Sequence, residues 1–152
     1  MLHPKLKPKI KTQLLAALPR LYEQNYSGLL QLIPDLKDIR HQSQLTLNDI
    51  EHLQITICEQ CPYTTVIDIS HLLGSSLIPD LTMTIRVYHD ARMAEVIRYQ
   101  RHSSFKPSYT YPNASMYQPL EKRQINLIFD DWLKHCITII KRQHMSRMQT
   151  SP

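Results

Sequence analysis

Apolar residues recur every three or four positions at the start of the chain. The pattern runs from Ile10 to Ile33, is interrupted at Pro19 and stops before Pro34. This spacing is that of one helix face, and a proline inside a helix bends or breaks it. We therefore expect two consecutive helices or one kinked helix, followed by a polar loop or a weak first strand near residues 45–47.

The middle of the chain changes to an alternation of apolar and polar residues, which is typical of strands. The alternating runs span residues 52–59, 63–69 and 81–88, and a short turn at 89–92 leads into a fourth run at 93–99. Connections this short favour antiparallel pairing, because parallel neighbours need a crossover of about a dozen residues. The pattern predicts an antiparallel meander of four to five strands.

A second helical pattern covers the last part of the chain, from about Pro119 to about Gln143, with a wide apolar stripe. We expect this long helix to pack on the apolar face of the sheet. The predicted fold class is α+β, with an N-terminal helix or helix pair, the meander and the long C-terminal helix. The expected organisation is a basic, disordered tail at 1–11, a single domain at 12–143 and a polar tail at 144–152.

The formal charge of +5 comes from 18 Lys and Arg against 13 Asp and Glu. Residues 1–11 contain four lysines and no acid, and residues 141–152 contain three basic residues, so the body between them has a net charge of −2. Nucleic-acid binding is thus expected only as nonspecific contact through the tails. A local basic excess remains between residues 86 and 106.

Composition excludes several other classes of protein. The two glycines, Gly28 and Gly74, are too far apart for a phosphate loop or a dinucleotide fingerprint. No apolar run reaches the length of about 18 residues needed to span a membrane, and no signal peptide is evident. Three cysteines, an odd number, suit a reducing compartment. We expect a cytoplasmic protein without membrane contact.

Cys58 and Cys61 have the spacing of a zinc or redox pair, but no second ligand pair follows at a usual distance. They fall at a strand end and its turn rather than at a helix N-terminus. We interpret them as ordinary half-buried cysteines and expect no metal and no cofactor.

His89 and Asp90 are the strongest candidates for acid–base chemistry, with Glu95 nearby. The structural alternative is that Asp90 stabilises a hairpin turn by bonding its own backbone. Arg86 is expected to form a half-buried ion pair with Asp68 or Glu95.

Two tyrosines, Tyr109 and Tyr111, lie on one side of an extended segment that ends at Asn113. With the cations around them they could stack on a planar ligand and hold a phosphate. They could equally pin the loop to the core.

Several motifs in the same order resemble the YqiB-like family of small bacterial proteins of unknown function. They are Glu23-x-Asn25-Tyr26, Val87-Tyr88-His89-Asp90-Ala91, Ala94-Glu95-Val96, Tyr109-x-Tyr111-Pro112-Asn113, Glu121-Lys122-x-Gln124-x-Asn126 and Trp132-Leu133-x3-Cys136. The resemblance spans about residues 21–137 and implies a bacterial, cytoplasmic protein, but it brings no established activity.

The polar residues of these motifs gather in the last hairpin, the loop after it and the start of the final helix. We predict that they converge on one ligand-binding surface, formed by Arg86, Tyr88, Tyr109, Tyr111, Asn113, Lys122 and Gln124. The favoured function is a non-catalytic module that binds a protein or a small polar, nucleotide-like ligand. The alternatives are a small hydrolase or transferase that uses His89 with Asp90 or Glu95, and an RNA-binding protein.

Overall fold

A computed structural model describes residues 7–74, 79–101 and 119–150. Its regular elements are α1 (Pro8–Leu32), β1 (Gln42–Thr46), β2 (Glu51–Gln60), β3 (Thr64–Leu73), β4 (Leu81–Tyr88), β5 (Met93–Arg101) and α2 (Pro119–Thr150), with one 3-10 turn at Leu36–Asp38. No helix within the described ranges is both long enough and apolar enough to cross a membrane.

The five strands form one antiparallel sheet in the order β1-β2-β3-β4-β5. Each strand pairs with its neighbours in sequence, as the short connections predict. The α+β meander with an N-terminal helix and a C-terminal helix packed on the sheet is therefore confirmed. The first strand, placed only near residues 45–47 by its pattern, extends over Gln42–Thr46.

The first element is a single helix that contains Pro19, rather than two helices. Both helices extend into segments assigned to tails: α1 begins at Pro8, so residues 8–11 are helical, and α2 continues to Thr150. Proline is well suited to the first turn of a helix, and residues 141–150 contain neither proline nor glycine to end α2.

The core lies between the two helices and one face of the sheet. Leu29 of α1 and Phe129 of α2 are fully buried there, together with Ile67, Met83 and Ile85 of the central strands. Side chains alternate between the two faces of a strand, so the residues between these apolar positions point to the opposite side of the sheet.

The outer edge of β5 is covered by the helices. The backbone N–H of Val96 donates to Oδ1 of Asn126 at 3.0 Å, and Nδ2 of Asn25 donates to the same oxygen at 3.1 Å. Both asparagines are fully buried. A helix side chain thus takes the hydrogen bond that a further strand would otherwise make with β5.

Candidate functional site

Polar side chains occupy the side of the sheet opposite the core. The strand register places them in adjacent rows, because Thr82 pairs with Ser70, Thr84 with both Asp68 and Arg98, and Arg86 with Glu95. We call this surface the polar face and define it as Asp68, Ser70, Thr82, Thr84, Arg86, Tyr88, Glu95 and Arg98.

Hydrogen bonds between neighbouring strands hold the side chains of the polar face in place. Thr84 donates its hydroxyl to Oδ1 of Asp68 at 2.5 Å, and the hydroxyls of Ser70 and Thr82 lie 3.3 Å apart. Tyr88 donates to Oε1 of Glu95 at 2.5 Å. Six of the eight side chains of the polar face are therefore fixed by hydrogen bonds to one another, and the two arginines lie beside them.

Tyr22 extends this network to α1. Burial raises its pKa, and the charge of Glu95 and a hydrogen bond to that carboxylate raise it further. Burial and the hydrogen bond to Glu95 also raise the pKa of Tyr88, and a hydrogen bond with Arg86 partly opposes this. Both phenols are protonated at neutral pH and can act as donors to Glu95.

The arginines of the polar face are not paired with its carboxylates. All 13 acidic residues of the chain fall within the described ranges. Among the described residues, neither Arg86 nor Arg98 forms an ion pair; the ion pairs found there join His71 to Glu51 and Lys134 to Asp130. The expected ion pair of Arg86 with Asp68 or Glu95 is not found among the described residues, where Thr84 donates to Asp68 and Tyr88 donates to Glu95.

His89 lies away from Glu95. Its Nε2 is 2.8 Å from Oγ1 of Thr65, a buried residue whose register partner is Val87 of the core. Glu95 points to the polar face. Burial lowers the pKa of His89, the charge of Lys37 adds to this effect, and Asp90 opposes it. His89 and Asp90 are thus neighbours in the turn, but Glu95 does not join them, because it accepts from Tyr88 on the polar face.

The turn after β4 is built as its sequence predicts. Oδ1 of Asp90 accepts the backbone N–H of Ala91 at 2.9 Å. Arg92 adopts a left-handed backbone with φ of 56°, and its guanidinium carbon lies 5.5 Å from the ring centre of Tyr26. This contact attaches the hairpin to α1.

The remaining predicted ligand-binding residues lie either on α2 or outside the described residues. Tyr109, Tyr111 and Asn113 lie outside the described residues. Lys122 is half-buried in the first turn of α2 and contributes its carbonyl oxygen to Asn126 at 2.8 Å. Gln124 is exposed, about 200° around the helix from Asn126.

Cys58 and Cys61 are both exposed and free. Burial and a hydrogen bond to Asp68 raise the pKa of Cys58, and a hydrogen bond to Glu59 raises that of Cys61. Both are therefore thiols rather than reactive thiolates at neutral pH. Within the described ranges no three or more His, Cys, Asp or Glu side chains are grouped to hold a metal ion.

A second polar arrangement lies inside the core. Nε1 of Trp132 donates to Nδ1 of His71 at 3.3 Å, and Nε2 of the same ring lies 3.2 Å from Oε1 of Glu51. Because Nδ1 is an acceptor, the ring is neutral and carries its proton on Nε2. Burial raises the pKa of the neighbouring Cys136 to about 12, with a smaller effect from the charge of Glu51.

The sequence analysis missed the residues that connect separate elements: Tyr22 and Asn25 on α1, and the contact of His71 with Trp132. Asn25 belongs to the family motif Glu23-x-Asn25-Tyr26, to which the sequence alone assigned no contact. Residues 22 and 95 are far apart in sequence, so no local pattern could have joined them.

Comparison with known proteins identifies relatives but no activity. Residues 28–142 match the family described as "Protein of unknown function (DUF1249)". The chain is 36% identical over 119 residues to "Uncharacterized protein YqiB" of Escherichia coli strain K12, an alignment that covers 78% of this chain and 84% of that protein. The same values hold for YqiB of Escherichia coli O157:H7. No solved structure matches the chain. The predicted resemblance is thus confirmed, and the chain belongs to the DUF1249 family.

Proposed function

We propose that this protein is a non-catalytic module that binds a small polar ligand on its polar face. The observation that carries the proposal is the set of cross-strand hydrogen bonds Thr84–Asp68, Ser70–Thr82 and Tyr88–Glu95. Side chains already held in one geometry lose less conformational freedom when a ligand binds, so their interactions contribute more to affinity.

The hydrolase or transferase alternative has less support. Catalysis by His89 needs a partner that orients the ring, but its Nε2 contacts Thr65, while Glu95 accepts from Tyr88 on the other face. Asp90 is engaged with the backbone of its own turn. RNA binding is also less favoured, because the polar face carries Asp68 and Glu95 beside its arginines.

We place the module in the cytoplasm. The support is that Cys58 and Cys61 are exposed free thiols with only two residues between them. Thiols of this kind persist in a reducing compartment and tend to oxidise outside it.

The test is a native mass measurement of the protein purified from its own host, before and after denaturation. We expect a small molecule to be retained and released on unfolding. Tyr88→Ala and Glu95→Ala should each abolish retention, because they dismantle the hydrogen-bonded surface. Tyr63→Ala is the matched control, since it removes an exposed tyrosine from the β2–β3 turn. The proposal fails if nothing is retained by the unaltered protein, or if both polar-face variants retain as much as the control.

A further inference from the structure

Two arginines of the polar face have no counter-charge of their own. The carboxylate of Asp68 is bonded by Thr84 and that of Glu95 by Tyr88. Among the described residues Arg86 and Arg98 make no ion pair, and the segments outside the described ranges contain no Asp or Glu. Arg86 hydrogen-bonds with the hydroxyl of Tyr88 but, like Arg98, is not held in an ion pair, so the remaining N–H donors of both guanidinium groups are available to a ligand.

The register brings these arginines to one place. Arg98 pairs with Thr84 on β4, and Arg86 is two residues further along the same strand on the same face. A β-bulge at Ile97 of β5 lies between this pair and the pair of Arg86 with Glu95. In a regular ladder such diagonal neighbours are about 7–8 Å apart at their backbones, within reach of long side chains. Two guanidinium groups can therefore approach the same anion from adjacent strands.

We propose that Arg86 and Arg98 together bind the phosphate group of a small phosphorylated ligand. The inference deepens the proposed function and rests on it. Two planar guanidinium groups offer parallel N–H donors that match the oxygens of a phosphate. The hydroxyl of Tyr88, which hydrogen-bonds with Arg86, helps to orient that side chain.

The carboxylates on the same face define the rest of the ligand. An ionised carboxylate has about four acceptor positions, of which Thr84 and the thiol of Cys58 use two on Asp68, and Tyr88 with Tyr22 use two on Glu95. The positions that remain can accept hydroxyl groups. The arrangement suits a phosphate carried by a hydroxyl-rich molecule, such as a sugar phosphate.

The hydroxyl of Tyr88 has a second role, because its hydrogen bond fixes the carboxylate of Glu95 in a position where it makes no ion pair with Arg86. In a variant that lacks the phenol oxygen of Tyr88, the carboxylate of Glu95 would be able to rotate and pair with Arg86, its register partner. Tyr88→Phe removes one oxygen and no charge, yet it should weaken phosphate binding severalfold. A role of Tyr88 limited to packing would leave the affinity unchanged in this variant.

The test titrates the isotopically labelled protein with inorganic phosphate, ribose 5-phosphate and ribose, and follows backbone amide shifts. We expect saturable shifts on β3, β4 and β5 with both phosphates, tighter for ribose 5-phosphate. Arg86→Gln and Arg98→Gln should each weaken binding about tenfold, corresponding to about 1.4 kcal/mol. Arg123→Gln, an exposed charge on α2, is the matched control and should have no effect. Thermal unfolding of each variant establishes that it is folded.

The outcomes separate this inference from the proposed function. If the native mass measurement finds a retained ligand without phosphate, the module stands and the phosphate site is wrong. Equal weakening by Arg123→Gln would mean that phosphate is attracted only by overall charge, which overturns the site. No shift on β4 and β5 at any phosphate concentration also overturns it.

Discussion

At the scale of single residues, Arg92 shows how a local cost is offset by a contact made elsewhere. A residue with a side chain loses about 1–2 kcal/mol in the left-handed conformation, where glycine is tolerated. Arg92 adopts it with φ of 56° and places its guanidinium over the buried ring of Tyr26. A cation over an aromatic ring contributes about 0.5–1 kcal/mol at an exposed site.

Two substitutions separate these effects. Arg92→Ala loses the contact with Tyr26 and keeps the backbone cost, whereas Arg92→Gly loses the contact and relieves the cost. Urea unfolding should therefore give the glycine variant a free energy of unfolding about 1 kcal/mol above that of the alanine variant. Equal stability of the two variants would contradict a strained turn at this position.

At the scale of elements, the sheet ends at β5 because α2 covers that edge. An uncovered edge strand can pair with another chain, and proteins limit this by placing other elements over it. Here Asn126 accepts from the backbone of Val96 and from Asn25, which joins β5, α1 and α2 through one side-chain oxygen. The exposed residue beside it in sequence, Leu127, takes no part.

Asn126→Ala should therefore be strongly destabilising. It leaves the N–H of Val96 and the amide of Asn25 buried without a partner, and each such donor costs about 1–3 kcal/mol. We expect the free energy of unfolding to fall by about 2–5 kcal/mol in urea, with faster hydrogen exchange at the Val96 amide. Gln124→Ala, on the exposed side of the same helix, should change it by less than about 0.5 kcal/mol. If the two variants were equally stable, the edge contact would contribute nothing.

At the scale of the whole molecule, His71 joins the far end of the sheet to α2. Its ring lies between Glu51 of β2 and Trp132 of α2, and Asp80 and His135 also act on it. Burial lowers the pKa of His71, and Glu51 and Asp80 only partly oppose this. A second proton would occupy Nδ1 and break the hydrogen bond from Trp132.

The lowered pKa of His71 determines how the stability of the protein depends on pH. The folded pKa lies below the unfolded value of about 6.5, so the unfolded chain takes up protons first as the pH falls. The contribution of neutral His71 is thus complete above about pH 6.5 and is lost progressively below it, through the folded pKa. The pKa of His89 is also lowered, so its contribution to stability is lost in the same direction, as the pH falls.

The fluorescence of Trp132, the one tryptophan in the chain, can follow urea unfolding between pH 5 and 8. His71→Gln keeps an acceptor for Trp132 but cannot titrate, so the loss of stability below pH 6.5 should become smaller. His144→Gln, exposed near the end of α2, should retain the full dependence. An unchanged pH profile in the His71 variant would show that this ring contributes none of it.

Much of the architecture was predictable because it depends on local periodicity. The alternation in residues 81–88 corresponds to β4 without a change of boundary, and the turn from His89 to Arg92 lies where Asp90 indicated it. The helix ends were less predictable, since lysine, arginine and glutamine occur both in helices and in mobile tails.

The candidate site was predictable only in part. Arg86, Tyr88 and Glu95 share a face because alternation and hairpin register follow directly from sequence. Alternation does not extend to His89, because this residue begins the turn and bonds to Thr65 on the core side. Whether Lys122 and Gln124 face the sheet or the solvent depends on how α2 is rotated about its axis, and packing against the rest of the core sets that rotation.

The sequence alone therefore determined the α+β class, the antiparallel meander, the C-terminal helix and the membership of the family, since each depends on residues that are close in sequence. Tertiary packing decided which distant side chains meet: Tyr22 with Glu95, Asn25 and Asn126 with β5, and Trp132 with His71. Within the part of the chain that the structure describes, it also left Arg86 and Arg98 without an ion pair to Asp68 or Glu95, whose carboxylates accept from Thr84 and Tyr88. Such competition between neighbours is resolved only by three-dimensional geometry, and it is where we locate the function of this protein.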